Sequence, residues 1–208
     1  MDRMGQFTPA EVAFVLREPV RAVKKALDAG PVRPVLLRKT GAAVRTVGWP
    51  DLFYLYAVKA LREELTPKAR MEFYEALQHG AVEREGEVRF GRFRIVVADL
   101  VSELESRTAE LAGLAANINF RTDGEAVLRG SDIEVYRIAA LLDGGMSVDA
   151  VLADYPSLTR DAVVTARAYA AAHPKPGRPY PRTTAKRALR GAGLEALDEV
   201  LGGDDAAE

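Results

Sequence analysis

Thr8-Pro9-Ala10-Glu11-Val12-Ala13-Phe14-Val15-Leu16, then Arg17-Glu18, then Pro19-Val20-Arg21-Ala22-Val23-Lys24-Lys25-Ala26-Leu27-Asp28-Ala29-Gly30, is the stretch on which the reading of this chain turns. Thr8 can cap a helix, Pro9 suits its first position, and Glu11 stands where a capping box needs an acid. Val12, Val15 and Leu16 recur at helical spacing. Pro19 ends that helix and can open a second one, whose apolar positions are Val20, Val23 and Leu27 and whose C-cap is Gly30. Two short helices joined by a tight turn read as a helix-turn-helix.

The neighbouring residues extend the pattern. Val35-Leu36-Leu37 and Val44-Arg45-Thr46-Val47 are β-prone runs around Gly41, a hairpin placed where a wing would be. Pro50 starts a helix expected through Leu65, and Thr66-Pro67 starts another through about His79. Residues 87–90 and 93–97 flank Gly91-Arg92 as a second hairpin. A long helix from Ala98 to about Ala115 follows, with Leu100, Leu104, Leu111 and Leu114 on one side. Residues 118–121 and 126–129 form a third hairpin around Asp123-Gly124. Three short helices then run over about 135–142, from a cap at Ser147 to Tyr155, and from a cap at Thr159 to about Ala172. Pro174, Pro176, Pro179 and Pro181 stop further helix, and a short helical stretch is expected around Leu189–Leu201.

Charge is unevenly placed. The net charge is −1, yet residues 1–48 hold nine Lys/Arg against four Asp/Glu, and residues 173–190 hold six Lys/Arg and no acid. Residues 191–208 hold six acids and no base. Separate electrostatic roles for the two ends follow from that asymmetry, with solvated charged faces as the plainer alternative. No cysteine is present, which excludes disulfides and thiolate-bound zinc. No apolar run reaches the roughly 18 residues of a membrane span, and Met1 to Gln6 lacks the apolar core of a secretory signal. The expected location is the cytoplasm.

The second helix carries Arg21, Lys24 and Lys25, with Arg17 beside it, and the wing carries Arg38, Lys39 and Arg45. A helix of that kind enters the DNA major groove while wing cations meet phosphates. Clustered cations gain free energy there by releasing counterions. The alternative is a winged module used only for protein contacts. Thr8 to Leu16 followed by Val20 to Gly30 resembles the MerR-like winged helix-turn-helix, with no Cys-rich sensor and no long coiled-coil dimerisation helix after it.

A second resemblance rests on Gly124-Glu-Ala-Val-Leu-Arg-Gly-Ser-Asp-Ile-Glu-Val135, Ile138 to Ser147, and Asp154-Tyr-Pro-Ser-Leu-Thr159. These residues resemble a family of small helical domains first catalogued as a domain of unknown function and now regarded as VapB-type antitoxins of toxin–antitoxin modules. Arg129, Gly130, Ile133, Val135, Gly145, Met146, Ser147, Asp154, Tyr155, Pro156, Leu158 and Thr159 fit its usual pattern. Asp132 and Glu134 depart from it, replacing an Arg and a Pro with acids. The resemblance implies an antitoxin that dimerises, binds operator DNA and folds its tail over a PIN-like, VapC-like ribonuclease toxin. Toxins of that type hold Mg²⁺ with clustered carboxylates, and a guanidinium fits a carboxylate bidentately. The tail residues expected to bind the toxin are Arg178, Arg182 and Arg187, with Leu189, Leu194 and Leu197 as an apolar helix face. A disordered basic linker is the plainer alternative for this segment.

Catalytic patterns are lacking. His79 and His173 are far apart, no phosphate loop or nucleophile elbow occurs, and Asp143, Asp149, Asp154 and Asp161 are scattered. No cofactor, no metal and no catalytic residue is expected. The expected fold is mainly α with small β-hairpins: a winged helix-turn-helix domain over 1–115, a β-hairpin plus tri-helical (homeodomain-like) domain over 116–173, and a flexible tail over 174–208. The expected function is a DNA-binding antitoxin, with a stand-alone MerR-like transcriptional regulator as the alternative.

Overall fold

The structure, a computed structural model, describes residues 5–39, 42–79, 86–175, 177, 180–184 and 188. The described residues are mainly helical, with three small antiparallel hairpins among them, and the chain divides into two units. The first comprises Met1–Ala116 and Ala171–Pro174, the second Asn117–Ala170 and Lys175–Glu208.

In the first unit, Thr8 opens α1 (Pro9–Leu16) with a complete capping box. Its hydroxyl accepts from the Glu11 N–H at 3.3 Å, and its own N–H donates to the Glu11 carboxylate at 2.6 Å. Arg17 closes α1 in the left-handed conformation, and Pro19 then caps α2 (Val20–Ala29). Gly30 ends α2 with φ −92, so left-handed freedom is not its reason for being glycine. A Cβ there would lie 2.8 Å from the Ala26 carbonyl oxygen, and close backbone approach is what demands Gly.

The wing forms as expected. β1 (Val35–Lys39) pairs with β2 (Ala42–Thr46) in the register Val35↔Thr46 to Lys39↔Ala42. Gly41, expected at the turn, lies outside the described residues. Phe7 and Val47 exchange backbone hydrogen bonds at 2.9 Å, and buried Thr46 donates to the Gln6 amide oxygen at 3.0 Å. The segment entering α1 is thereby fixed to the end of the wing.

α3 (Trp49–Ala60) ends sooner than the expected Leu65. Arg70, on α4 (Pro67–Gln78), is the reason. Its guanidinium donates to the carbonyls of Leu65 at 3.0 Å and Arg62 at 2.7 Å, satisfying backbone groups freed where the helix unwinds. β3 (Glu87–Phe90) and β4 (Phe93–Val96) form the second hairpin, and α5 (Ala98–Ala116) completes the unit. The core gathers Val12, Leu52, Phe53, Phe73, Val88 and Leu104, all fully buried. Trp49 stacks on Phe53 at 5.2 Å, and Phe73 meets Phe90 at 5.4 Å. Arg107 of α5 donates to the Val15 carbonyl at 3.2 Å and lies over the Tyr56 ring, bracing α1 from behind.

In the second unit, β5 (Ile118–Phe120) pairs with β6 (Ala126–Leu128), with Gly124 at φ +84 in the turn. α6 (Val135–Asp143), α7 (Val148–Asp154) and α8 (Arg160–Ala172) follow. Ser147 and Thr159 cap α7 and α8, each accepting at 3.2 Å from the N–H three residues on. Val135, Ile138, Leu141, Val151, Val163 and Ala166 form the unit's buried centre.

Candidate nucleic-acid interface

α2 buries only Val23 and Leu27. Arg21, Lys24 and Lys25 are spaced three and four apart, which groups them on one face of a helix, opposite the two buried residues. All three are exposed, and among the described residues none forms an ion pair with them. The helix therefore rests on two apolar side chains and presents three cations outward over its first half. Its first turn lacks a side-chain cap, so the backbone N–H groups of Val20 and Arg21 add positive potential to the same surface.

The other cations assigned from sequence fall differently. Arg45 donates to the Asp28 carboxylate at 2.7 Å, tying β2 to α2. Arg17 lies 3.9 Å from Glu110 of α5 and lines a groove of about 380 Å³ with Phe14, Glu18, Pro19 and Val20. It stands at the turn between the helices rather than on α2. Arg38 and Lys39 lie on β1, and their side chains are outside the described set.

Sequence reasoning expected the β3–β4 hairpin but gave its cations no role: Arg89 sits directly opposite Arg94. Like charges in that register repel, and both approach Glu87. Arg94 grips it bidentately at 2.5 and 2.6 Å, and Arg89 lies at 4.0 Å. The Arg94 hydrogen bonds hold the Glu87 carboxyl below the usual carboxylate range. A local signal existed in the alternation of Arg89, Arg92 and Arg94 around the Gly91 turn.

In the second unit, Glu134, which departs from the expected family pattern, has a partner of its own. Its carboxylate accepts from Arg121 at 3.0 Å, and Arg121 also reaches Asp123 at 3.2 Å. Arg129 and Asp132 are exposed. The tail is anchored at its root. Lys175 binds Glu125, and the backbone of Arg182 passes over Gly144, so that a Cβ at 144 would lie 2.3 Å from the Arg182 carbonyl oxygen. Arg182 is thus the one toxin-contact candidate with a described position; Arg178, Arg187, Leu189, Leu194 and Leu197 lie outside the described residues, as does the helix expected around Leu189–Leu201.

Among the described residues, no group of three or more His, Cys, Asp or Glu side chains could hold a metal ion. Asp143 pairs with Arg167 at 3.3 Å, Asp149 pairs with Arg160, and Asp154 accepts from the Thr184 hydroxyl at 3.4 Å. His173 faces Glu11 at 3.3 Å, and His79 contacts the Glu75 carbonyl at 2.7 Å. Among the same residues, no helix is long and apolar enough to cross a membrane.

Comparison with known proteins adds a limited set of relations. Residues 121–170 match a family model described as a protein of unknown function (DUF433), a span that begins in the β5–β6 hairpin and ends within α8. No curated protein matches the chain. Among solved structures, the chain is similar to the X-ray crystal structure of Rv2018 from Mycobacterium tuberculosis. That similarity has 18% identity over 77% of this chain and 96% of that one, with a TM-score of 0.30. A score at that level does not establish a shared fold.

Proposed function

We propose that the chain is a cytoplasmic antitoxin that binds operator DNA through its first unit, represses its own operon and neutralises a PIN-like ribonuclease toxin. The observation that carries the DNA reading is α2, anchored by Val23 and Leu27 alone while Arg21, Lys24 and Lys25 point outward. A helix of 10 residues preceded by a three-residue turn and followed by a hairpin has the shape of a groove-reading element. The toxin reading rests on the family resemblance of residues 124–159 and on the basic, proline-punctuated tail. A dimer is part of the proposal, since two-fold protein symmetry matches palindromic operators.

Two assays on the full chain test the two halves separately. Binding to a duplex of its own upstream region, against a scrambled duplex, tests the first half. Rescue of growth when the chain is co-expressed with the neighbouring gene product tests the second. Truncation after Pro174, which removes every tail residue expected to bind the toxin, is expected to keep duplex binding and lose rescue. Rescue undiminished by that truncation would place neutralisation in the folded units instead of the tail.

A further inference from the structure

Lys175 and residues 180–184 meet the rest of the second unit at two places. At the first, the Lys175 ammonium donates to both Glu125 carboxylate oxygens, at 2.6 and 2.5 Å, and to the Tyr180 hydroxyl at 3.1 Å. It also lies 5.8 Å from the Tyr136 ring centroid and 5.2 Å from that of Tyr180. One carboxylate and two aromatic faces around an ammonium make a cation cage. Glu125 precedes β6 and Tyr136 sits in the first turn of α6, so two folded elements supply it.

At the second, the Arg137 guanidinium of α6 donates to the carbonyls of Pro181 at 3.3 Å and Thr183 at 3.2 Å, one on each side of Arg182. Between them the Arg182 backbone crosses Gly144, where a side chain would collide with both its carbonyl oxygen and its Cβ. Thr184 is buried, at 8% exposure, with its hydroxyl directed to Asp154. A proline-rich segment offers few N–H donors but all of its carbonyls. A fork of guanidinium donors is the chemistry that reads such a segment. Prolines also narrow the free segment's conformations, so docking it costs less entropy.

We infer that the second unit carries a docking site for a basic, proline-rich peptide, built from Glu125, Tyr136, Arg137, Gly144 and Asp154, and that Lys175 and residues 180–184 of this chain are what occupies it. The site gives Gly144 a reason distinct from that of Gly145: Gly145 turns the chain at φ +89, whereas Gly144 leaves room for the strap. It also holds Arg182 at a fixed place by its backbone while leaving its side chain exposed. A partner that uses this tail must engage residues beyond 184, the exposed Arg182 side chain, or displace the strap.

The Arg182–Thr183 peptide bond reports on docking, because trypsin requires an extended, accessible chain there and Arg137 holds the carbonyls on either side. In the full-length protein, tryptic cleavage at this bond is followed by mass spectrometry for the wild type and for Arg137→Ala, Lys175→Ala and Gly144→Val. Docking predicts slow cleavage in the wild type and at least about tenfold faster cleavage in each variant, with the helical circular dichroism unchanged. Arg137→Ala and Lys175→Ala alter only the clamp and the cage, so they decide the matter even if Gly144→Val perturbs the fold. Equal cleavage rates in the wild type and these two variants would overturn the inference. No toxin or DNA enters the assay, so its outcome is independent of the proposed function.

Discussion

Asp28 lies two turns after Arg21 on α2, on the face that carries the cations, and its carboxylate is taken by Arg45. That acid lowers the positive charge of the face and, in exchange, ties the wing to the helix. The two side chains are 62% and 41% exposed, so the pair is worth under about 1 kcal/mol of stability. Asp28→Asn removes the acid and releases Arg45. The expected outcome is tighter duplex binding, with a salt dependence steeper by roughly 0.9 log units if Arg45 gains one phosphate contact. Urea unfolding should show a small loss at most. Weaker DNA binding at low salt would mean that the wing's position matters more than its free charge.

At the scale of elements, most helix and strand limits follow from local chemistry. Thr8 with Glu11, Thr66, Ser147 and Thr159 act as caps within a span of three residues, and such signals are legible in any sequence. α3 is the exception: nothing near Ala60 announces its end, because the carbonyls of Arg62 and Leu65 are satisfied by Arg70 from the next helix. The cation face of α2 was legible because helical spacing alone groups Arg21, Lys24 and Lys25. The Arg45–Asp28 pair was not legible, because the two residues lie on different elements. The strap site was illegible, since Glu125 and Lys175 are separated by 50 residues and only the folded unit brings them together. α4 contributes Phe73 to the core of the first unit, fully buried beside Tyr54 and Phe90. Phe73→Ala should cost about 3–5 kcal/mol, read as a lower urea midpoint. A loss below 1 kcal/mol would show that the core there collapses around the gap.

Across the whole molecule, the shifted groups set the pH range of stability. Burial, with help from the Asp51 carboxylate, pushes the Tyr74 hydroxyl up to about 12, and burial pushes that of Tyr136 up to about 12. The hydrogen bonds to Glu125 raise Lys175 as well. These groups keep their protons to higher pH in the folded chain than in the unfolded one. The folded state therefore binds more protons above about pH 10, and stability falls as pH rises from about 10 towards 12. Glu87 and Glu103, held by hydrogen bonds from Arg94 and Tyr56, and Asp123, held by the Glu125 N–H, are shifted down. Their stabilising effect is full above the usual carboxylate range and is lost as pH falls through their lowered values. Urea midpoints measured across pH should form a plateau between about pH 5 and 10 with a fall on each side. A midpoint that stays level to pH 12 would contradict the raised Tyr74 and Tyr136 hydroxyls.

The central claim is that α2 meets the phosphates and groove of duplex DNA. The direct measurement is the salt dependence of binding to the upstream duplex, for the full-length wild type and for the chain carrying Arg21→Ala, Lys24→Ala and Lys25→Ala together. Each lost phosphate contact removes roughly 0.9 from the slope of log affinity against log salt, so the triple variant should bind more weakly with a slope flatter by about 2 to 3. A triple variant that binds the same duplex with the wild-type slope would contradict the assignment of α2 as the DNA-reading helix.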